Sequence, residues 1–164
     1  MGPRPTAEAV FLLVAIGIAL FFLFSCGTQH DAISNYKSAT SHIWIVTHDG
    51  AKADPCFLEN YGAVADEINR RTWEVCHLIK VPHPTVEVHL MPIITQSMGY
   101  AANYSQMFIS ANTRQLAVFA HELTRFSCLY SNGCCAWDHS SRDWSGAMGE
   151  IWNHAETEAV KRCG

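Results

Sequence analysis

The sequence predicts one α+β domain, a short mixed sheet packed on a central helix and a C-terminal helix and stapled by disulfides. Three observations predict it: β-type alternation in separate short segments, two long helical patterns in the second half, and an even set of cysteines after the first 27 residues. A chain of 164 residues has the usual length of a single domain. A net charge of -4 with no basic cluster excludes a nucleic-acid-binding surface.

The first half supplies two strands and the clearest amphipathic helix. His42 to His48, "HIWIVTH", is β-branched and aromatic and is followed by the turn signal Asp49-Gly50, which predicts a strand. Residues 55–80 place apolar side chains at helical spacing. The segment "PTVEVHLMP" alternates apolar and polar residues between two prolines, as a half-buried strand does. We expect strand, helix, strand in that order.

The second half predicts a strand followed by two helices. "SQMFISAN" alternates less cleanly and is interpreted as an edge-like strand. Asn112 or Thr113 can cap the helix "RQLAVFAHELTRFSCLYS", which Asn132-Gly133 would end. After a polar, cysteine-bearing loop, a closing helix starts at Ser145. The full order of elements indicates an α+β domain at residues 28–164.

Residues 1–27 are interpreted as an export signal. One early arginine precedes an apolar stretch from Ala9 to Phe24, which is shorter than the roughly 20 residues of a membrane span. "LFSC" resembles a bacterial lipobox, in which Cys26 would be lipidated, and a signal-peptidase cut after Gly27 fits equally. An uncleaved membrane anchor is the third option. The predicted location is therefore a periplasmic or outer-surface lipoprotein, or a secreted protein.

The number of cysteines favours a location in an oxidising compartment. Loss or lipidation of Cys26 takes one cysteine from seven and leaves an even set. Such a set predicts up to three disulfides, with roughly 15 connectivities. The alternatives are buried free thiols or a thiolate metal site, although no C-x-x-C pair is present. The disulfide candidates are Cys56, Cys76, Cys128, Cys134, Cys135 and Cys163.

Two helices carry the side chains that could perform chemistry. His121-Glu122 follows an apolar run on the first of them. On the second, Glu150, His154 and Glu158 lie at i, i+4 and i+8, which puts them on one helical face. A metal ion and a solvated surface would both favour that pattern. His89, in the predicted strand "PTVEVHLMP", is not expected to bind a metal at the surface.

These segments resemble the paired helices of gluzincins, the thermolysin-like zinc peptidases. "FAHELTRF" is similar to their His-Glu-x-x-His helix, and "SGAMGEIWNH" is similar to the later helix that supplies the third ligand. The resemblance covers roughly the last third of the chain. It implies a zincin-like fold, Zn²⁺ as cofactor, His121 and Glu150 as ligands and Glu122 as general base. It also implies metal-activated water attacking a peptide bond.

Arg125 stands where the family has its second histidine. A guanidinium has no lone pair for a metal, and two carboxylates nearby would attract it instead. Two ligands could restore the zinc set: His154, which falls where the family has an orienting acid, or His139 from the loop. The alternative without a metal is that Arg125 forms an i, i+3 surface pair with Glu122.

The sequence thus leaves two hypotheses for function. The first is an exported zinc-dependent peptidase that acts on a peptide or protein. Tyr130 and Arg142 are its candidate oxyanion donors, and the strand at Met107 to Ala111 would pair with extended substrate. The second is a catalytically inactive, metallopeptidase-like lipoprotein or secreted domain that binds a partner. A membrane tether would come from the Cys26 lipid or from an uncleaved N-terminal segment.

Overall fold

A five-stranded mixed sheet is the centre of the computed structural model, which describes residues 31–94, 97–103, 105–131 and 146–164. Its strand order is β1-β2-β3-β5-β4, with β2, β3 and β5 parallel and β1 and β4 antiparallel to their neighbours at the two edges. The predicted α+β class is confirmed. The strands are β1 (Asp31–Lys37), β2 (His42–Thr47), β3 (Thr85–Met91), β4 (Gly99–Ala101) and β5 (Gln106–Ser110).

In the described part of the chain, three helices pack on one another and against the sheet. They are α1 (Pro55–Val75), α2 (Gln115–Leu129) and α3 (Ala147–Cys163). Asp54 caps α1 by accepting a hydrogen bond from the Cys56 N–H, and Pro55 takes the first turn, where its missing N–H costs nothing. Within the described ranges, none of the helices combines the length and the apolar composition that a membrane span requires.

The core lies between the helices and one face of the sheet. Because side chains alternate along a strand, every second residue of β2, β3 and β5 points at the helices. Phe57, Tyr61 and Phe119 meet them in a cluster of tilted and edge-to-face rings. The fully buried sheet residues are Ile43, Ile45, Val86, Val88, Leu90, Met107 and Ile109.

No periodic pattern in the sequence predicts β1, because hydrogen bonds to a side chain distant in sequence position this strand. Asp66 on α1 accepts hydrogen bonds from Tyr36 at 2.7 Å, Ser38 at 2.6 Å and Thr40 at 2.5 Å. Burial raises the pKa of Asp66, but these hydroxyl hydrogen bonds outweigh it and leave the pKa below its usual value. The carboxylate therefore anchors β1 and the following turn to α1.

Two predictions about the β5–α2 segment are wrong. Strand β5 is not an edge, because β4 covers it on the side away from β3. Arg114, not Asn112 or Thr113, precedes α2, and it makes no side-chain capping hydrogen bond. Thr113 instead donates to the Ser110 carbonyl at 2.7 Å, which closes the turn out of β5. The turn thus uses the side chain that the sequence offered as a cap.

The disulfide prediction is confirmed for one pair. Cys56, in the first turn of α1, is bonded to Cys163, the last residue of α3, with their Cα atoms 5.9 Å apart. Cys76 and Cys128 are also disulfide-bonded, so neither is a free thiol or a thiolate ligand. Cys26, Cys134 and Cys135 lie outside the described residues, as do the predicted signal, the Asn132-Gly133 stop and the proposed cap Ser145.

Asn69 joins three parts of the fold through one fully buried side chain. Its amide donates to the Thr40 carbonyl and the Ser41 hydroxyl, both at 2.8 Å, and it accepts from the Ser127 hydroxyl at 2.5 Å. Asn69→Ala leaves these buried groups without partners and should lower the free energy of unfolding by about 3 kcal/mol. Urea unfolding measures this loss. The exposed Asn153→Ala is the control, and equally small losses in both variants would contradict the network's role.

Candidate functional site

The predicted catalytic helix passes the outer edge of β4. Met98 and Ala102 hydrogen-bond to β5, so the backbone groups of Gly99 and Ala101 between them point away from the sheet. The N–H of Ala101 donates a hydrogen bond to the carboxylate of Glu122 on α2. A Cβ atom on Gly99 would collide with the side chain of Val118, so glycine permits this close approach of β4 to α2.

Glu122 and Arg125 form a largely buried ion pair. The Arg125 Nη1 lies 3.3 Å from the Glu122 Oε2, and the two side chains are 17% and 6% exposed, in that order. The sequence alternative of a surface pair is therefore right about the partners and wrong about their environment. Burial raises the pKa of Glu122, while the charge of Arg125 and the Ala101 N–H act in the opposite direction without cancelling it.

His121 sits beside this pair but faces α3. Its Nε2 is 3.9 Å from the Glu122 Oε1, which is beyond hydrogen-bonding distance. Its ring meets the Trp152 indole edge-to-face, with the centroids 5.1 Å apart. Trp152 therefore holds the imidazole against α3 in a contact that the sequence did not suggest.

Glu150 and His154 both engage α1. Glu150 forms an ion pair with Arg71, and the His154 Nε2 lies 2.6 Å from the Glu67 Oε1. Hydrogen bonding from Arg70, assisted by His154, lowers the pKa of Glu67 to about 2 despite its partial burial. The two predicted ligands therefore share one helical face, as expected, and that face is turned to α1.

The predicted ligands do not fit a single zinc ion in this arrangement. Trp152, which contacts His121, is two residues from both Glu150 and His154, so it projects from the opposite side of α3. Catalytic zinc requires three protein donors around one point. Among the described residues, no group of three or more histidine, cysteine, aspartate or glutamate side chains could hold a metal. The alternative ligand His139 and the oxyanion candidate Arg142 lie outside those residues.

The structure thus brings together His121, Glu122 and Arg125 and adds a partner that sequence reasoning missed. The missed group is the backbone N–H of Ala101, for which a three-residue strand gave no periodic signal. Tyr130, the other oxyanion candidate, is 44% exposed at the end of α2. Chemically, the arrangement is the Glu122 carboxylate at a sheet edge, with its negative charge balanced by the Arg125 guanidinium.

Comparisons with known proteins add no relative. No family model matches the chain, and no curated protein and no solved structure matches it. The gluzincin resemblance therefore rests on the residues quoted above.

Proposed function

We propose that this chain is a gluzincin-like domain that lacks zinc chemistry and binds an extended segment of a partner protein along β4. The observation that carries the proposal is the buried Glu122–Arg125 pair at the outer edge of that strand. In this proposal Arg125 supplies the positive charge that a metal would supply to the glutamate. The Glu122 carboxylate then has a structural role as the partner of Arg125, and it does not act as a general base.

The edge of β4 has the properties that strand addition requires. The backbone groups of Gly99 and the carbonyl of Ala101 point outward, and an added strand gains affinity from such groups, whereas the Ala101 N–H is held by Glu122. The apolar side chains of Ile93, Met98 and Tyr100 near this edge are 66%, 66% and 43% exposed. Exposed apolar side chains beside an open strand edge favour a protein partner. Because β4 is only three residues long, the added segment would be short.

Export is part of the same proposal. Four of the disulfide candidates, Cys56, Cys76, Cys128 and Cys163, are disulfide-bonded, and such bonds persist in oxidising compartments. We propose a periplasmic, surface-attached or secreted domain, with lipidation at Cys26, cleavage after Gly27 or an uncleaved N-terminal anchor as the three routes.

The zinc peptidase is the second candidate, and one observation favours it. A general base is often a buried carboxylate with a raised pKa, and Glu122 has both properties beside His121. The distinction between the two candidates therefore depends on measured hydrolysis.

One experiment with a peptide mixture separates the two functions. The immobilised protein is incubated with peptides from an unfolded protein, with and without added Zn²⁺, and mass spectrometry records both the retained peptides and any new termini. We expect retained peptides and no new termini. Met98→Asp, which places a charge beside the open edge, should abolish retention, whereas Asn153→Ala at an exposed position of α3 should not. New termini that disappear in Glu122→Gln would establish the peptidase instead.

A further inference from the structure

A pair of histidines lies on the sheet face opposite the helices. Val88 and Leu90 point into the core, so His89 between them points to the other face. In the parallel register of β2 and β3, Val46 lies opposite His89, and His48 is two residues further along the same face. The N–H of His48 donates to the Leu90 carbonyl at 3.0 Å, which continues the ladder past the end of β2. Both imidazoles are therefore placed by regular sheet geometry.

The two rings direct nitrogen atoms at each other. The His48 Nε2 and the His89 Nδ1 are 3.0 Å apart. Two nitrogens bound to one metal at about 2.0–2.1 Å are separated by about 2.9 Å when the angle at the metal is about 90°. The pair therefore already has the spacing of two adjacent ligands in a tetragonal site. Without a metal, one neutral imidazole donates to the other.

The neighbours of His89 fix its ring in this orientation. Phe108 stacks on it with the centroids 4.6 Å apart and 13° between the planes, and Tyr100 stacks on Phe108 at 5.1 Å. The Glu87 Oε2, which accepts from the Gln106 Nε2 at 3.2 Å, lies 3.5 Å from the His89 Nε2, the nitrogen that does not face His48, at ion-pair rather than hydrogen-bonding distance. A carboxylate at the second ring nitrogen is the usual partner of a metal-bound histidine, because it selects the tautomer.

We propose that His48 and His89 chelate a divalent transition ion of the tetragonal class, Cu²⁺ foremost, with Glu87 as the positioning residue. Water completes the coordination, since two imidazoles supply only two donors. Cu²⁺ binds such nitrogen donors more tightly than the other first-row divalent ions do. On coordination, the His48 proton moves from Nε2 to Nδ1, and His89 keeps its proton on Nε2 towards Glu87. The site is separate from the Glu122–Arg125 pair and does not depend on the function proposed above.

Copper titration of the full chain tests this site. Electron paramagnetic resonance should show one Cu²⁺ with coupling to two nitrogens, and calorimetry should give its affinity. His48→Ala should weaken binding by about 100-fold, and Glu87→Gln by about 10-fold through loss of orientation. His89→Phe should abolish the two-nitrogen signal while preserving the stacking on Phe108.

Two other histidines serve as matched controls for copper binding. His83→Ala, at an exposed position two residues before β3, and His121→Ala, on α2, should leave both the affinity and the spectrum unchanged. Because His48 is near the end of a strand and partly exposed, its alanine variant should fold normally. Unchanged affinity in folded His48→Ala, or loss of copper in His121→Ala, would overturn the proposal.

Discussion

Replacing Arg125 with methionine should destabilise the domain by about 3 kcal/mol at pH 7, because the substitution leaves the Glu122 carboxylate buried without its counter-charge. Methionine fills much of the same space and adapts to its surroundings, so the loss reports mainly on charge. The free energy of unfolding from urea denaturation measures it. A loss under about 0.5 kcal/mol, the range of ordinary surface changes, would mean that the pair is not buried in solution.

The pH dependence of this loss has a defined sign. The pKa of Glu122 is raised in the folded protein, and Arg125 is one of the groups that hold it down. Removing Arg125 raises that pKa further, so the native state holds the proton to higher pH. The deficit of the variant should be small below 4.5, the ordinary pKa of a glutamate carboxyl, and should grow as pH rises. Adding Glu122→Gln to Arg125→Met should recover most of the loss, as a double-mutant cycle would record.

Removing the Cys56–Cys163 disulfide by replacing both cysteines with serine should lower the free energy of unfolding by about 2–4 kcal/mol. The bond closes a loop whose ends are 107 residues apart in sequence, and long loops lose the most entropy when the unfolded chain is cross-linked. It also ties the start of α1 to the end of α3, which closes the helical layer.

The urea midpoint of the double serine variant measures this effect. Replacing both cysteines avoids the free thiol that a single substitution would leave. If the midpoint does not change, α1 and α3 must be held by their packing alone, through contacts such as Ile151 in the core.

The sequence predicted the elements that carry their own periodic signal. The strand at His42, the alternation through Thr85–Met91 and the helix from Pro55 all formed, with ends shifted by a few residues. The elements it missed depend on distant groups. Strand β1 is held by hydroxyl hydrogen bonds to Asp66, and β4 has only three residues and packs its Gly99 against α2. Local patterns contain no record of such partners.

The candidate site was predicted in part for the same reason. His121 and Glu122 are adjacent in sequence, and Arg125 is one turn away, so their proximity follows from helical geometry. The destinations of Glu150 and His154 depend on where α3 meets α1, which local spacing cannot specify. The i, i+4 pattern correctly placed them on one face. The same pattern could not show whether these two side chains bind a metal ion or pair with Arg71 and Glu67.

Zinc content of the purified full chain, together with that of His121→Ala and His48→Ala, tests the central claim most directly. The account predicts no zinc equivalent that depends on His121, because Arg125 neutralises Glu122 in the folded domain. One equivalent of zinc that is lost in His121→Ala and kept in His48→Ala would contradict it. That result would place a metal at the α2 helix and restore the peptidase as the function to pursue.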